Sequence, residues 1–331
     1  MRPLYLFFTL FALASCVKEP VTVNKLSTHT QQAATATDTI LIPLIDMGNS
    51  TYRGINGGLY PDGSNLPSGT YADDLLSFAS AIQPLDANGV INNTTGRIGF
   101  IGIGASTCAS MTRTLKGKTD GNPLTNPKLI LAPCTSGGTS VNEIMDPANK
   151  YWNVVKRKLS DASLSSNQVQ IIYMETDDSV QTNTFPDRPL RTKVEYQQAM
   201  RTFKIKFPNI KLVYLLGRTS AFIKERPTKV TNSEPCPYYN GWACKWVIED
   251  QINGVSGTEY KGEAAVAPLV TWGWYEWGNA VPRSDGFTWT EANTSDGLHA
   301  NEAGADTLAT RFQNFLLTDQ YANIWYANHG Q

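Results

Sequence analysis

The chain is short of charge, of histidine and of long apolar runs, and each shortage removes a class of function. Charged side chains make up 17% of its 331 residues, below the roughly 25% usual in soluble domains. Lysine plus arginine number 28 against 29 for aspartate plus glutamate, a formal net charge of -1. No basic field is present to hold a polyanion by counterion release, so nucleic acid is not an expected partner. No uninterrupted apolar run reaches the ~20 residues that cross a bilayer as a helix, which argues against an integral transporter or channel. No Cys-x-x-Cys pair occurs and only three histidines exist, so zinc lacks its usual ligand pattern; no metal and no organic cofactor is expected. With 41% hydrophobic residues the chain is still too apolar for disorder and long enough to bury a sizeable core.

The N-terminus reads as an export signal. Met1-Arg2 gives a positive end, residues 4–14 are apolar but too short to span a membrane, and Leu13-Ala14-Ser15-Cys16 follows. This segment resembles a bacterial lipobox, which implies cleavage after residue 15 and lipid on Cys16. The competing reading is an ordinary secretory signal cleaved near Ala14; either takes the chain out of the cytoplasm. Lipid contributes about 0.8 kcal/mol per buried methylene, so several acyl chains on Cys16 would hold the protein to a membrane. Cys16-Val17-Lys18-Glu19 also resembles the tag that sends some lipoproteins to the outer surface. The expected organisation is a signal peptide over 1–15, a lipidated cysteine with a flexible Thr- and Gln-rich stalk over 16–37, and one domain over 38–331.

Four further cysteines in an oxidising compartment allow three pairings. The spacing favours Cys236 with Cys244, closing a small loop, which leaves Cys108 to join Cys134.

In the body, short β-rich apolar runs alternate with helical patterns. Residues 40–45 read as an edge strand, because Pro43 is tolerated there and not in a central strand. An irregular stretch follows. Runs at 98–103, 128–131, 169–173 and 211–216 read as strands buried on both faces, and 265–270 as a fifth. Helices are expected at 151–160, 192–207, 241–252 and 302–317. Alternation of this kind means parallel strands with helices on both faces, a single three-layer α/β/α sandwich of the α/β class.

In such folds chemistry collects at the carboxyl ends of the strands. One strand runs into Gly104-Ala105-Ser106-Thr107-Cys108, a small-residue turn that exposes the Ser106 hydroxyl at a helix start, where backbone N–H groups favour negative charge. The next ends in Ala132-Pro133-Cys134-Thr135-Ser136-Gly137-Gly138-Thr139, whose glycines let a backbone N–H approach an oxyanion closely. His29 falls in the stalk and His329 at the C-terminus, which makes His299 the histidine of the body. It stands in Ser295-Asp296-Gly297-Leu298-His299, where a carboxylate three residues ahead can hold Nδ1 and leave Nε2 free to take a proton from serine. Trp272, Trp274, Tyr275 and Trp277 cluster after the fifth strand, with Trp289 beyond; aromatic faces stack on sugar rings as well as in cores. Arg218 and Arg283 could bind a substrate carboxylate such as a uronate or sialate group, or pair with internal acids. Asp285 repeats the Ser-Asp-Gly tripeptide with no histidine after it.

These blocks, Gly104-Ala105-Ser106, Gly137-Gly138-Thr139 and Asp296-Gly297-Leu298-His299, in this order and on this topology, resemble the SGNH (GDSL-like) hydrolase superfamily, with its carbohydrate acetylesterase and sialate O-acetylesterase branches nearest. The resemblance covers about residue 40 to the C-terminus. It implies a flavodoxin-like sandwich and ester hydrolysis with Ser106 as nucleophile, His299 as general base then acid, and Asp296 as orienting carboxylate. Gly137 or Gly138 would join the Ser106 N–H in the oxyanion hole. Three features depart from the family pattern, and one is that Gly104-Ala105-Ser106 lacks the Asp of the Gly-Asp-Ser form. Thr107 stands where many relatives carry Asn. The third block, which usually supplies an Asn or Gln donor, reads Glu175-Thr176-Asp177-Asp178, and an ionised acid facing an oxyanion repels it. Loss of one such donor has cost ~100 to 1,000-fold in turnover elsewhere. The expected function is removal of acyl, above all acetyl, groups from an extracellular carbohydrate. The alternatives are a glycan-binding lipoprotein with decayed turnover and a lipid esterase.

Overall fold

The computed structural model describes residues 41–180, 184–223 and 233–330. The signal segment, Cys16, the stalk with His29, and Ile40 lie outside the described residues. Among those described, no helix is long and apolar enough to cross a membrane.

A short helix α1 (Leu44–Met47), a hairpin of β1 (Thr51–Tyr52) and β2 (Ile55–Asn56), and helix α2 (Gly69–Ser80) lead into the body. The alternating part then runs β3 (Ile98–Gly104), α3 (Ser106–Thr119), β4 (Leu129–Pro133), α4 (Val141–Met145), α5 (Tyr151–Asp161), β5 (Val169–Glu175), α6 (Asp187–Lys206), β6 (Leu212–Leu215), α7 (Cys236–Ile252) and β7 (Leu269–Trp272). Helices α8 (Glu302–Thr318) and α9 (Ala322–Tyr326) close the chain.

Strands β3 to β7 form one parallel sheet in the order β4-β3-β5-β6-β7. Counted along the chain this is 2-1-3-4-5, the flavodoxin-like order. All seven residues of β3 and all seven of β5 are buried, as expected of strands covered on both faces. Right-handed crossovers assign the layers. The step from β3 to β4 runs one way along the sheet and every later step runs the other, so α3 lies on one face and α4 to α7 on the opposite face. Packing agrees: α3 contacts α8, while α6 contacts α7 and α4. The chain is an α/β/α sandwich, and β3, whose end carries Ser106, sits where the direction of winding reverses.

Several sequence expectations change. The edge strand at 40–45 is not formed over its described part. Pro43 holds φ at -53° at the N-cap of α1, and Leu44 and Met47, three residues apart, bury together on one helical turn. The fifth strand starts at Leu269 and not at 265, because Pro268 has no N–H to offer a ladder. The stretch read as irregular contains α2, whose Tyr71, Leu75 and Ala79 bury at four-residue spacing.

The cysteine pairings are also overturned. Cys236 and Cys244 both lie on α7, and eight residues of helix separate them by about 12 Å, far beyond the span of a disulfide. Cys108 and Cys134 are buried thiols; the Cys108 Sγ points back to the Ile103 carbonyl at 3.5 Å.

Candidate active site

Ser106 is the first residue of α3, separated from the end of β3 by Ala105 alone. The turn between them depends on Gly104. Its φ is +156°, and a Cβ there would lie 1.9 Å from the Glu175 carbonyl oxygen on the neighbouring strand. Glycine alone lets the two strand ends come this close, and the half-buried Ser106 side chain is thereby lifted onto the rim of the sheet. The N–H groups of the first turn of α3 have no carbonyl of their own helix to bond, so they face whatever occupies the end of the sheet.

The Asp-x-x-His segment reaches Ser106 from the loop before α8. Asp296 Oδ1 accepts from the backbone N–H of Leu298 at 3.0 Å and of His299 at 2.8 Å. Its Oδ2 meets His299 Nδ1 at 2.7 Å, and His299 Nε2 lies 2.9 Å from Ser106 Oγ. The backbone N–H donors and the imidazole pull the Asp296 carboxyl down to about 2. The turn is braced on both sides: Ser295 N–H donates to the His299 carbonyl at 2.8 Å, and Phe222 N–H to the Gly297 carbonyl at 2.6 Å. Asn301 then caps α8 by accepting from Gly304 N–H at 2.9 Å. Ser106 is thus joined, across 193 positions of sequence, to the local Asp296–His299 pair in one hydrogen-bonded chain.

Gly137 and Gly138 occupy the loop after β4. Ser136 N–H donates to the Gly104 carbonyl at 3.1 Å, which lays this loop against the turn that carries Ser106. Gly138 has φ of +74°, and neither glycine has a neighbour within 4 Å of where a Cβ would stand.

The acidic third block turns inward. Glu175, Asp177 and Asp178 are all buried. Glu175 accepts from the Thr107 hydroxyl at 2.6 and 2.9 Å and lies 3.5 Å from Arg218 Nε. Asp177 pairs with Arg188 at 3.0 Å and with Arg218 at 3.4 Å, and Asp178 with Arg191 at 2.5 Å. Three carboxyl groups therefore meet three guanidinium groups. Asp178 does not face solvent: its side chain is fully covered. Arg188 and Arg191, one helical turn apart at the start of α6, supply the compensation that the bare acidic tetrapeptide conceals.

The candidate substrate groups are placed differently. Arg218 is buried on Glu175 and Asp177. Arg283 is buried as well, donating to the Tyr275 and Trp277 carbonyls at 2.6 and 2.7 Å and pairing with Asp285 at 2.5 Å. Trp272 lies in the core, its Nε1 donating to the Leu59 carbonyl at 2.6 Å. These three side chains are held by internal partners, because a parallel strand and the loops leaving it are covered on both faces. Trp274 is half-buried, edge-on to Phe287 at 4.7 Å between ring centres. Among the described residues, no group of three or more His, Cys, Asp or Glu is arranged to hold a metal ion.

The sequence matches no protein-family model, and no curated protein matches it. Among solved structures, the chain is similar to a candidate SGNH hydrolase from Slackia heliotrinireducens, with 13% identity and a TM-score of 0.39 over 67% of this chain and 100% of that one. It is also similar to the periplasmic domain of a lipopolysaccharide acetyltransferase from Salmonella ser. Paratyphi A, with 12% identity and a TM-score of 0.38 over 76% of this chain and 100% of that one. The chemistry of the site is read from its own side chains.

Proposed function

We propose that the chain is an SGNH-type serine esterase that acts outside the cytoplasm and removes acyl groups, acetyl foremost, from a carbohydrate. The observation that carries this reading is the unbroken chain from Asp296 through His299 to Ser106, at 2.7 and 2.9 Å, placed at a helix start where the sheet changes direction. Ser106 Oγ attacks the ester carbonyl while its proton passes to His299 Nε2, and Asp296 holds the imidazole by Nδ1. The oxyanion faces the Ser106 N–H and the N–H of Gly137 or Gly138. His299 returns the proton to the departing sugar hydroxyl. A water molecule then gives a proton to His299 and attacks the acyl-serine; the bond from the acyl carbon to Ser106 Oγ breaks, His299 returns that proton to Oγ, and the acid is released.

The alternative of a glycan-binding protein without turnover rests on repulsion of the oxyanion by the third block. The pairing of those acids with Arg188, Arg191 and Arg218 weakens that objection. The purified full-length chain is expected to hydrolyse p-nitrophenyl acetate faster than the butyrate and to release acetate from an acetylated polysaccharide, with Ser106→Ala and His299→Ala both inactive. Specific glycan binding with no ester turnover would favour the alternative. Lipid attachment at Cys16 is tested by Cys16→Ser, which should move the chain from the membrane to the soluble fraction.

A further inference from the structure

The turn that carries Ser106 touches Glu175 twice. Its entry lies on the Glu175 backbone, since Gly104 is the register partner of Glu175 and has no room for a Cβ. Its exit is held by the Glu175 side chain, since the Thr107 hydroxyl oxygen lies 2.6 and 2.9 Å from the two carboxylate oxygens. Both side chains are buried, with relative exposures of 5% for Thr107 and 2% for Glu175. A carboxylate in such a place needs a counter-charge, and Arg218, reaching in from the loop after β6, stands 3.5 Å away. The other ionisable groups that interact with Glu175 are Cys108 from α3, Tyr173 from β5, Asp177 just past the end of β5 and Glu276 from the loop after β7. Burial, and then Glu175, push Glu276 well above the usual carboxyl range, and burial raises Glu175 as well, against the opposing pull of Arg218 and of the Thr107 hydroxyl.

We propose that Thr107 and Glu175, with Arg218 as counter-charge, form a positioning pair that sets Ser106 and its backbone N–H for attack; this rests on Ser106 being the nucleophile. Thr107 follows Ser106 in the first turn of α3, so the anchor on its side chain fixes the Ser106 Cα, and with it both the nucleophilic hydroxyl and the Ser106 N–H. The bond does a second thing. It directs the Glu175 lone pairs at Thr107, and without that hydroxyl the acid would face the first turn of α3, where negative charge develops in the reaction. A misplacement near 1 Å costs about 10²-fold in rate, which sets the size of the effect expected from losing the bond.

Thr107→Val keeps the shape and removes the hydroxyl, and Thr107→Ser restores it. With p-nitrophenyl acetate and the full chain, Thr107→Val is expected to lower kcat by roughly 10²-fold with KM within about twofold, and Thr107→Ser to stay within about threefold of wild type. A purely structural bond would lower the melting temperature of Thr107→Val and leave kcat per folded molecule unchanged. Glu175→Gln, measured in parallel so that the test survives a Val variant that does not fold, should also lower kcat without raising KM. Wild-type kcat in Thr107→Val or in Glu175→Gln, or a Thr107→Ser as slow as Thr107→Val, overturns the proposal while Ser106-dependent turnover persists. If wild-type turnover does not depend on Ser106, judged by Ser106→Ala, the esterase reading falls and this inference with it.

Discussion

Asp296 shows how a site can be built from one turn. Within four residues its carboxylate takes two backbone N–H groups and one imidazole N–H, which is why its pKa falls to about 2. From about pH 4 upward it stays ionised and gives His299 one tautomer. The stability tied to this depressed pKa is present above the ordinary Asp value and is lost as pH falls through about 2; with a side chain 53% exposed the contribution is small and screened. Asp296→Asn should keep the turn folded and lower kcat by about 10²-fold, as steady-state kinetics at neutral pH would show. Ser106, Asp296 and His299 could be read from sequence because histidine is scarce and Asp-x-x-His is local. Thr107 and Arg218 could not be read as partners of Glu175. Their contacts cross from one strand to its neighbours and exist only once β3, β5 and β6 lie side by side. Nor could composition tell that Trp272 faces the core and not a sugar.

Elements that announce themselves by a buried apolar run, β3, β5 and β6, fall where the sequence puts them. Elements decided by end effects do not. Pro43 starts a helical turn where an edge strand was expected, Pro268 delays β7, and α6 and α7 each begin five residues before the start expected from apolar spacing, α7 with a proline in its first turn. The expected disulfide between Cys236 and Cys244 fails for a related reason: extending α7 back to Cys236 turns a loop into a rod. The element most sensitive to a single atom is the β3–α3 turn. Gly104→Ala places a methyl 1.9 Å from a backbone oxygen, so the strand ends must part. Urea unfolding should show a loss of at least about 1–3 kcal/mol, and esterase activity should fall with it.

At the scale of the whole molecule, reversal of winding about β3 puts Ser106 at the carboxyl edge of the sheet, and three arginines balance the three buried acids at the last residue of β5 and in the loop after it. Glu195, on the side of α6 that faces this network, keeps one oxygen without a partner and the other on Asn142 Nδ2 at 3.0 Å. Burial, and then the Asp178 charge, raise its pKa from 4.5 to about 7. Between those values the folded chain holds a proton that the unfolded chain releases, so stability falls as pH rises through that window. Glu195→Gln keeps the bond to Asn142 and carries no charge. It should melt above wild type near pH 8 and with it near pH 4.

The function proposed for the site requires Ser106 to be an activated nucleophile. The most direct measurement is reaction of the full-length chain with a fluorophosphonate, followed by peptide mass mapping. The geometry predicts one adduct, on Ser106, formed with loss of fluoride and suppressed by His299→Ala. An unlabelled Ser106, or labelling unaffected by loss of His299, would contradict it.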